Sequence, residues 1–333
     1  MYISLMSMEK GWDEYMGDEH ILVTGGAGFI GSHLVRRLLD DNRSIICVDD
    51  FNNYYSPLIK ENNIKQFLSQ KNFKLYRVDI RDFNSLKEIF SSNRISRVVH
   101  LAARAGVRPS LENPLLYEEV NLRGTMHLLE LSKNVKNFIF ASSSSVYGNN
   151  EKIPFSERDN VDKAISPYAA TKKAGEVMCH VYHHLYNIPI SCLRFFTVYG
   201  PSGRPDMATY KFTKWINEGK EVQRFGDGHS KRDYTYVEDI IDGVISSLDK
   251  QFKYEIFNLG NSNTVELNYF IGLIEKELGK KAEIIELPTQ PGDVSITYAD
   301  ISKSKKMLNF QPKVSIEDGI PKFVRWYKSR QYP

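Results

Sequence analysis

Tyr168 and Lys172 stand four positions apart in Ser166-Pro167-Tyr168-Ala169-Ala170-Thr171-Lys172. Pro167 suits a first helical turn, and Ala174, Val177, Val181 and Leu185 continue a helical spacing. The phenol and the ammonium therefore share one helix face. A phenol of ordinary pKa is only about 0.1% ionised at pH 7, a handicap of about 4 kcal/mol for a general base. A neighbouring ammonium and a positively charged ring beside the phenol both lower that handicap. Taken alone the pair is unspecific, because Tyr and Lys are common on amphipathic helices.

A second cluster is Gly25-Gly26-Ala27-Gly28-Phe29-Ile30-Gly31. It separates the apolar run 21–23 from a helical spacing of Ile30, Leu34, Val35 and Leu38. Gly25 permits a tight turn, and Gly28 lets the backbone approach a pyrophosphate at a helix N-terminus. Gly31 lets helix and strand pack closely. Asp49, 24 positions after Gly25, ends the next apolar run. A carboxylate there accepts hydrogen bonds from both adenosine ribose hydroxyls and repels a 2′-phosphate. No arginine follows in Phe51-Asn52-Asn53, so NAD is expected rather than NADP. Asp50 is either a second ribose contact or a solvated turn residue. Asp79 and Ile80 end a third run, at the edge where ligands of such sheets bind.

The elements that must position these groups alternate. Apolar runs at 21–23, 45–48, 73–78, 98–101, 138–140 and 190–195 are separated by stretches with helical apolar spacing. Near-continuous apolar strands between helices predict an α/β fold, a doubly wound parallel sheet covered on both faces. After Gly200 the texture breaks at Pro201, Gly203, Pro205, Gly219, Gly226 and Gly228. The expected organisation is an N-terminal extension at 1–18, a cofactor domain at 19–200 with a returning segment near 233–262, and a smaller mixed α/β substrate lobe at 201–330.

Composition sets bounds. Hydrophobic residues make up 41% and charged residues 26% of 333, which excludes a disordered or fibrous chain. A net charge of +3, from 44 basic and 41 acidic residues, is too balanced for a nucleic-acid partner. No apolar run is long enough to span a bilayer, so no membrane partner is expected. Cys47, Cys179 and Cys192 form no framework, which fits a reducing, cytoplasmic compartment. Cys179 and His183 could reach one metal, but no second cluster completes a tetrahedral site, so none is expected. Phe212, Trp215 and Ile216 read as core of the second lobe, and Lys303, Lys305 and Lys306 as a solvated helix face.

Several further segments carry a resemblance. They are His100-Leu101-Ala102-Ala103, Ser142-Ser143-Ser144-Ser145-Val146-Tyr147-Gly148, Arg194-Phe195-Phe196-Thr197-Val198-Tyr199-Gly200-Pro201, Lys231-Arg232-Asp233-Tyr234 and Pro291-Gly292-Asp293. Together with the glycine turn and Tyr168/Lys172, they make residues 20–330 resemble the extended short-chain dehydrogenase/reductases, specifically the NAD-dependent nucleotide-sugar epimerases. The resemblance implies that Ser143 bridges the sugar hydroxyl and Tyr168. It also implies cofactor contacts at Phe29, Ile30, Leu101, Ala102, Ala103 and Asn121, and nucleotide contacts at Arg232 and Asp293. In that family the tyrosine removes the proton of the sugar 4-hydroxyl while C4 gives hydride to NAD. The 4-keto sugar then turns over and regains the hydride on its other face.

Dehydratase and decarboxylase branches carry a carboxyl side chain where this chain has Ser144 and Ser145, which argues for simple epimerisation. The segment 203–208 and Thr197 resemble the uronate-epimerase branch, which brings Arg204 into the substrate set. Ser144, Ser145 and Thr197 could then donate hydrogen bonds to a C6 carboxylate. The expected reaction is UDP-glucuronate to UDP-galacturonate. UDP-glucose is the alternative sugar, and the small Thr297 beside the expected sugar site leaves room for N-acetylated ones. A non-catalytic NAD-binding sensor is the reading from another class. Arg104 and Arg108 are either attractors of an anionic substrate or solvated loop charges. The helices around 112–134 and 167–187 pair into a homodimer in relatives.

Overall fold

The structure, a computed structural model, describes residues 19–289 and 294–330. The extension 1–18 and Asp293 lie outside the described residues. Strands β1 (His20–Thr24), β2 (Ser44–Asp49), β3 (Phe73–Arg77), β4 (Ile95–His100), β5 (Asn137–Ser143) and β6 (Ile190–Phe195) follow the apolar runs closely. The helices among them are α1 (Phe29–Asp40), α2 (Pro57–Ile64), α3 (Phe83–Ser92), α4 (Val107–Glu112), α5 (Pro114–Tyr117), α6 (Gly124–Leu131) and α7 (Pro167–Tyr186). The later elements are β7 (Thr197–Tyr199), α8 (Ala208–Glu218), β8 (Val222–Phe225), β9 (Lys231–Tyr236), α9 (Val237–Asp249), β10 (Tyr254–Leu259), β11 (Thr264–Glu266), α10 (Leu267–Leu278), β12 (Ile284–Leu287), α11 (Ser302–Leu308) and α12 (Ile316–Ser329).

The main sheet has seven parallel strands in the order β3-β2-β1-β4-β5-β6-β10. Side chains alternate across it as the pleat requires. Ile21, Val23, Ile45, Cys47, Val99 and Ile139 enter one core, with α1 and α9 over them. Leu22, Ile46, Val48, Val98, Phe138 and Phe140 enter the other, with α3, α6 and α7. The chain runs outward from β1 to β3, then returns to β4 and runs the other way. The reversal between β1 and β4 leaves a crevice at the carboxyl ends of those strands, the place where such sheets bind ligands.

Of the expected returning segment, only β10 enters this sheet, beside β6. β9 lies instead in a three-stranded sheet, β11-β9-β7, and β8 pairs with β12. β9 runs Lys231-Arg232-Asp233-Tyr234-Thr235-Tyr236, buried over its last four residues, and strand propensity alone does not say which sheet it joins. Asp233 fastens this lobe. Its buried carboxylate accepts the backbone N–H groups of Asn261 at 2.7 Å, Ser262 at 3.0 Å and Ala299 at 3.1 Å. The Thr297 hydroxyl accepts the N–H of the same aspartate at 3.1 Å.

Candidate active site

A cleft of about 1110 Å³ opens at the reversal point. Its wall contains Gly25, Gly28, Phe29, Ile30, Gly31, Asp49, Asp50, Asp79, Ile80, Leu101, Ala102, Ala103, Tyr168, Lys172 and Arg204. Gly25 has φ +70°, and a Cβ on it would meet the Ala102 nitrogen at 2.8 Å. A Cβ on Gly31 would stand 2.1 Å from the Gly25 carbonyl oxygen. Those two glycines are dictated by the fold itself. A Cβ on Gly28 meets no protein atom closer than 3.2 Å, so its bareness serves the cleft rather than the packing. Helix α1 starts there without a capping side chain, which leaves its first N–H groups for an anion.

Asp49, at the end of β2, accepts the N–H of Phe51 at 2.9 Å and of Ala27 at 3.2 Å. The buried Lys60 ammonium lies 3.2 Å from the same carboxylate. Lys60 was not foreseen, because a contact made by a helix 11 positions downstream has no local spacing signal. Asp50 is engaged by the N–H of Asn52 at 3.1 Å. Burial works to raise the Asp79 pKa, but hydrogen bonds from Arg81 hold it below the usual carboxylate range.

Asn121 is in a different place from the other cofactor candidates. It sits in a π-helical turn, Glu118–Arg123, and its amide is engaged by Arg104 and Thr171. Its oxygen accepts the N–H of Arg104 at 2.7 Å, and its nitrogen donates to the Arg104 carbonyl at 2.9 Å and to the Thr171 hydroxyl at 3.1 Å. Asn121 thus holds the loop after β4 against α7. Beneath it His100 is fully buried, with Nδ1 2.7 Å from the Thr24 hydroxyl and Nε2 2.9 Å from that of Thr125. Thr125 donates its own proton to the Asn121 carbonyl, so Nε2 carries the ring proton. Burial pushes the pKa of His100 down to about 3, which keeps the ring neutral.

The catalytic candidates come together on α7 and β5. Ser166 caps α7, its hydroxyl accepting the N–H of Ala169 at 3.1 Å, and Pro167 occupies the first turn. Burial raises the pKa of the Tyr168 phenol, while a hydrogen bond with Ser143 and the charge of Arg204 pull it back. Lys172 reaches a strand end of the sheet. The Lys172 ammonium, 4% exposed, donates to the Ala141 carbonyl at 2.7 Å and lies 5.1 Å from the centre of the Phe140 ring. Burial pushes its pKa down to about 8. A helical offset of four gives a shared face, but strand ends nearby offer the longer side chain a better acceptor than a neutral phenol.

Ser143 lies opposite Phe195 across the β5–β6 pair. Ser144, Ser145 and Thr197 therefore follow adjacent strand ends. All three are part-buried, and among the described residues their hydroxyls engage no protein partner. Arg204 is paired with Asp206 through two bonds of 2.9 and 2.7 Å. The Tyr54 ring lies 5.7 Å from the Arg204 guanidinium and 5.9 Å from that of Arg104. Tyr54, Tyr55 and Asn52 line the cleft unforeseen; the doubled tyrosine after Asp49 was the available signal. Arg232 lies on β9 outside the cleft wall, its guanidinium donating to the Lys231 carbonyl at 3.0 Å.

A family model described as GDP-mannose 4,6 dehydratase matches residues 22–323. The chain belongs to the GDP-mannose 4,6-dehydratase family. Within that family, a UDP-glucuronate 4-epimerase of Thermodesulfobacterium geofontis is 48% identical over 312 residues, covering 93% of this chain and 96% of that one. The crystal structure of UDP-glucuronic acid 4-epimerase from Bacillus cereus, in complex with UDP-glucuronic acid and NAD, superposes with a TM-score of 0.88. It is 38% identical, over 93% of this chain and 99% of that one. UDP-glucose 4-epimerase from Thermotoga maritima, with UDP-glucose, gives 0.86 at 34% identity, over 93% and 98% of the two chains.

Proposed function

We propose that the protein is an NAD-dependent UDP-sugar 4-epimerase that converts UDP-glucuronate to UDP-galacturonate. The observation that carries this reading is the cleft at the sheet's reversal point, with Tyr168 and Lys172 in its wall beside the uncapped start of α1. The cleft fits NAD: the uncapped start of α1 suits the pyrophosphate, bare Gly28 leaves it room, and the Asp49 carboxylate suits a ribose. NAD, when bound, takes up hydride from a sugar carbon and returns it.

The chain's own residues do the rest. Tyr168 takes the proton of the sugar 4-hydroxyl at its phenolic oxygen, and Ser143 orients that oxygen. Lys172, anchored on Ala141, keeps a positive charge at the cleft floor. Ser144, Ser145 and Thr197 donate to the C6 carboxylate. The 4-keto uronate is a β-keto acid, which loses CO2 when its carboxylate stands perpendicular to the ketone. Several directional donors hold the carboxylate out of that orientation. Arg204, Arg232 and Asp293 serve the nucleotide side of the substrate.

Incubation with UDP-glucuronate and NMR of the products tests the reading. UDP-galacturonate in equilibrium with substrate is expected. A pentose product with CO2 release, or a far higher kcat/KM for UDP-glucose, would replace it. Leu111, Leu115, Met126, Val177, Val181 and Leu185 leave exposed apolar surface on α4 to α7, which supports a homodimer through these helices. Three free buried cysteines fit a cytoplasmic enzyme supplying a uronate for polysaccharide synthesis. Among the described residues no helix is long and apolar enough to cross a membrane.

A further inference from the structure

Helix α7 carries one more polar residue on the face of Tyr168 and Lys172. Glu176, four positions beyond Lys172, is 1% exposed, and so is its partner Arg194 on β6. Arg194 donates from Nε to Oε1 and from Nη2 to Oε2, both at 2.8 Å. The Ser142 hydroxyl donates to Oε1 at 2.7 Å. Arg194 Nη1 donates to the Tyr147 hydroxyl at 2.9 Å, and Tyr147 donates to Asn258 Oδ1 on β10 at 2.7 Å.

A buried ion pair of this kind is a weak stabiliser, because desolvation offsets attraction and apolar packing does as well. What it adds is direction. Two parallel N–H···O bonds fix both the rotation and the axial position of a helix against a strand. The elements joined are those that carry the chemistry. Ser142 precedes Ser143, Tyr147 closes the turn Ser144–Tyr147, and Thr197 lies three residues beyond Arg194. Lys172 grips Ala141, the neighbour of Ser142. We infer that the Glu176–Arg194 pair, with Ser142 and Tyr147, is a positioning device that sets the height of α7, and with it Tyr168, against the end of β5 that carries Ser143.

The inference deepens the epimerase reading and rests on it for its kinetic arm. The test uses the full chain carrying Glu176→Gln and, as a gentler change, Tyr147→Phe. Glu176→Gln puts an amide N–H group against the guanidinium at nearly unchanged volume. Folded Glu176→Gln is expected to lose about 10- to 100-fold in kcat, with KM changed less than about threefold. The acid limb of its pH profile moves to higher pH, because a displaced α7 takes the phenol away from the Ser143 side chain, which lowers its pKa. Tyr147→Phe moves both readouts the same way by less. Ultraviolet titration of the phenol, as the difference from Tyr168→Phe, reads the same shift without substrate. Wild-type kcat, pH limb and phenol titration in folded Glu176→Gln overturn the inference. If that variant does not fold, an unchanged Tyr147→Phe overturns it. A wild type inert toward UDP-glucuronate counts against the epimerase reading, and the ultraviolet titration then decides on the pair.

Discussion

Lys172 shows how a functional side chain works against the fold that holds it. Its pKa is pushed down to about 8 by burial, well below the ordinary lysine value of about 10.4. Between those pH values the unfolded chain binds more protons than the folded one, so stability rises with pH across that window. Below about pH 8 the full cost of the buried ammonium is present. Lys172→Met removes it, and the cofactor-free variant is expected to melt above the wild type at pH 7. The gain has an upper bound of about 3 kcal/mol, the conversion of that shift. The difference should shrink as the pH approaches 10, while epimerase activity falls at least about 100-fold. Thermal unfolding of both proteins across pH checks it, and a lower melting point for the variant would contradict it. At this scale the glycine turn was readable from type and spacing, whereas Tyr168 with Lys172 is unspecific alone and Ser143 was singled out only by the family resemblance. Lys60 beside Asp49, and the Arg204–Asp206 pair against Tyr54, are made by chain segments meeting in space, and no periodicity encodes such meetings.

Among the elements, the β1–turn–α1 unit has the least tolerance. Gly31 packs its α-carbon where an added methyl would lie 2.1 Å from the Gly25 carbonyl, and that oxygen belongs to a turn already braced against Ala102. Gly31→Ala must push α1 off the sheet and move its N-terminus. The expected cost is about 2–4 kcal/mol of stability, with loss of NAD binding, measured by thermal unfolding and by cofactor retained on gel filtration. An Ala variant that melts and retains NAD like the wild type would show that the turn can yield. The alternation of strands and helices was legible because fully buried parallel strands read as unbroken apolar runs. The π-helical turn at Glu118–Arg123 was not. Asn121 sits in that turn and binds the Arg104 loop, and side-chain type does not reveal a change of helical pitch.

For the molecule as a whole, the face opposite the core of α7 is the open question that chemistry can answer. Leu115 is 77% and Leu185 59% exposed, more than isolated surface leucines require when clustered with Val177 and Val181. A second copy covering these helices predicts that the double variant Leu115→Lys with Leu185→Lys sediments as a monomer while the wild type sediments as a dimer. A monomeric wild type at micromolar concentration would remove the homodimer. The break of the regular strand–helix alternation after Gly200 was visible as a change of texture, and there the small sheets β11-β9-β7 and β12-β8 begin. The destination of each later strand was not, since β9 and β10 are equal in length and strand pairing is decided by what each meets in space.

The late arrival of β10 at the edge of the main sheet has a consequence for how the protein is made. As the polypeptide leaves the ribosome, β6 emerges with its outer rim of amide and carbonyl groups bare, and it stays so until residue 259 has been synthesised. By then nearly half of the second lobe has also emerged. Nascent chains halted between β6 and β10 should therefore be sticky and dependent on chaperones, and a fragment ending at Gly200 is no shortcut to an isolated nucleotide-binding unit.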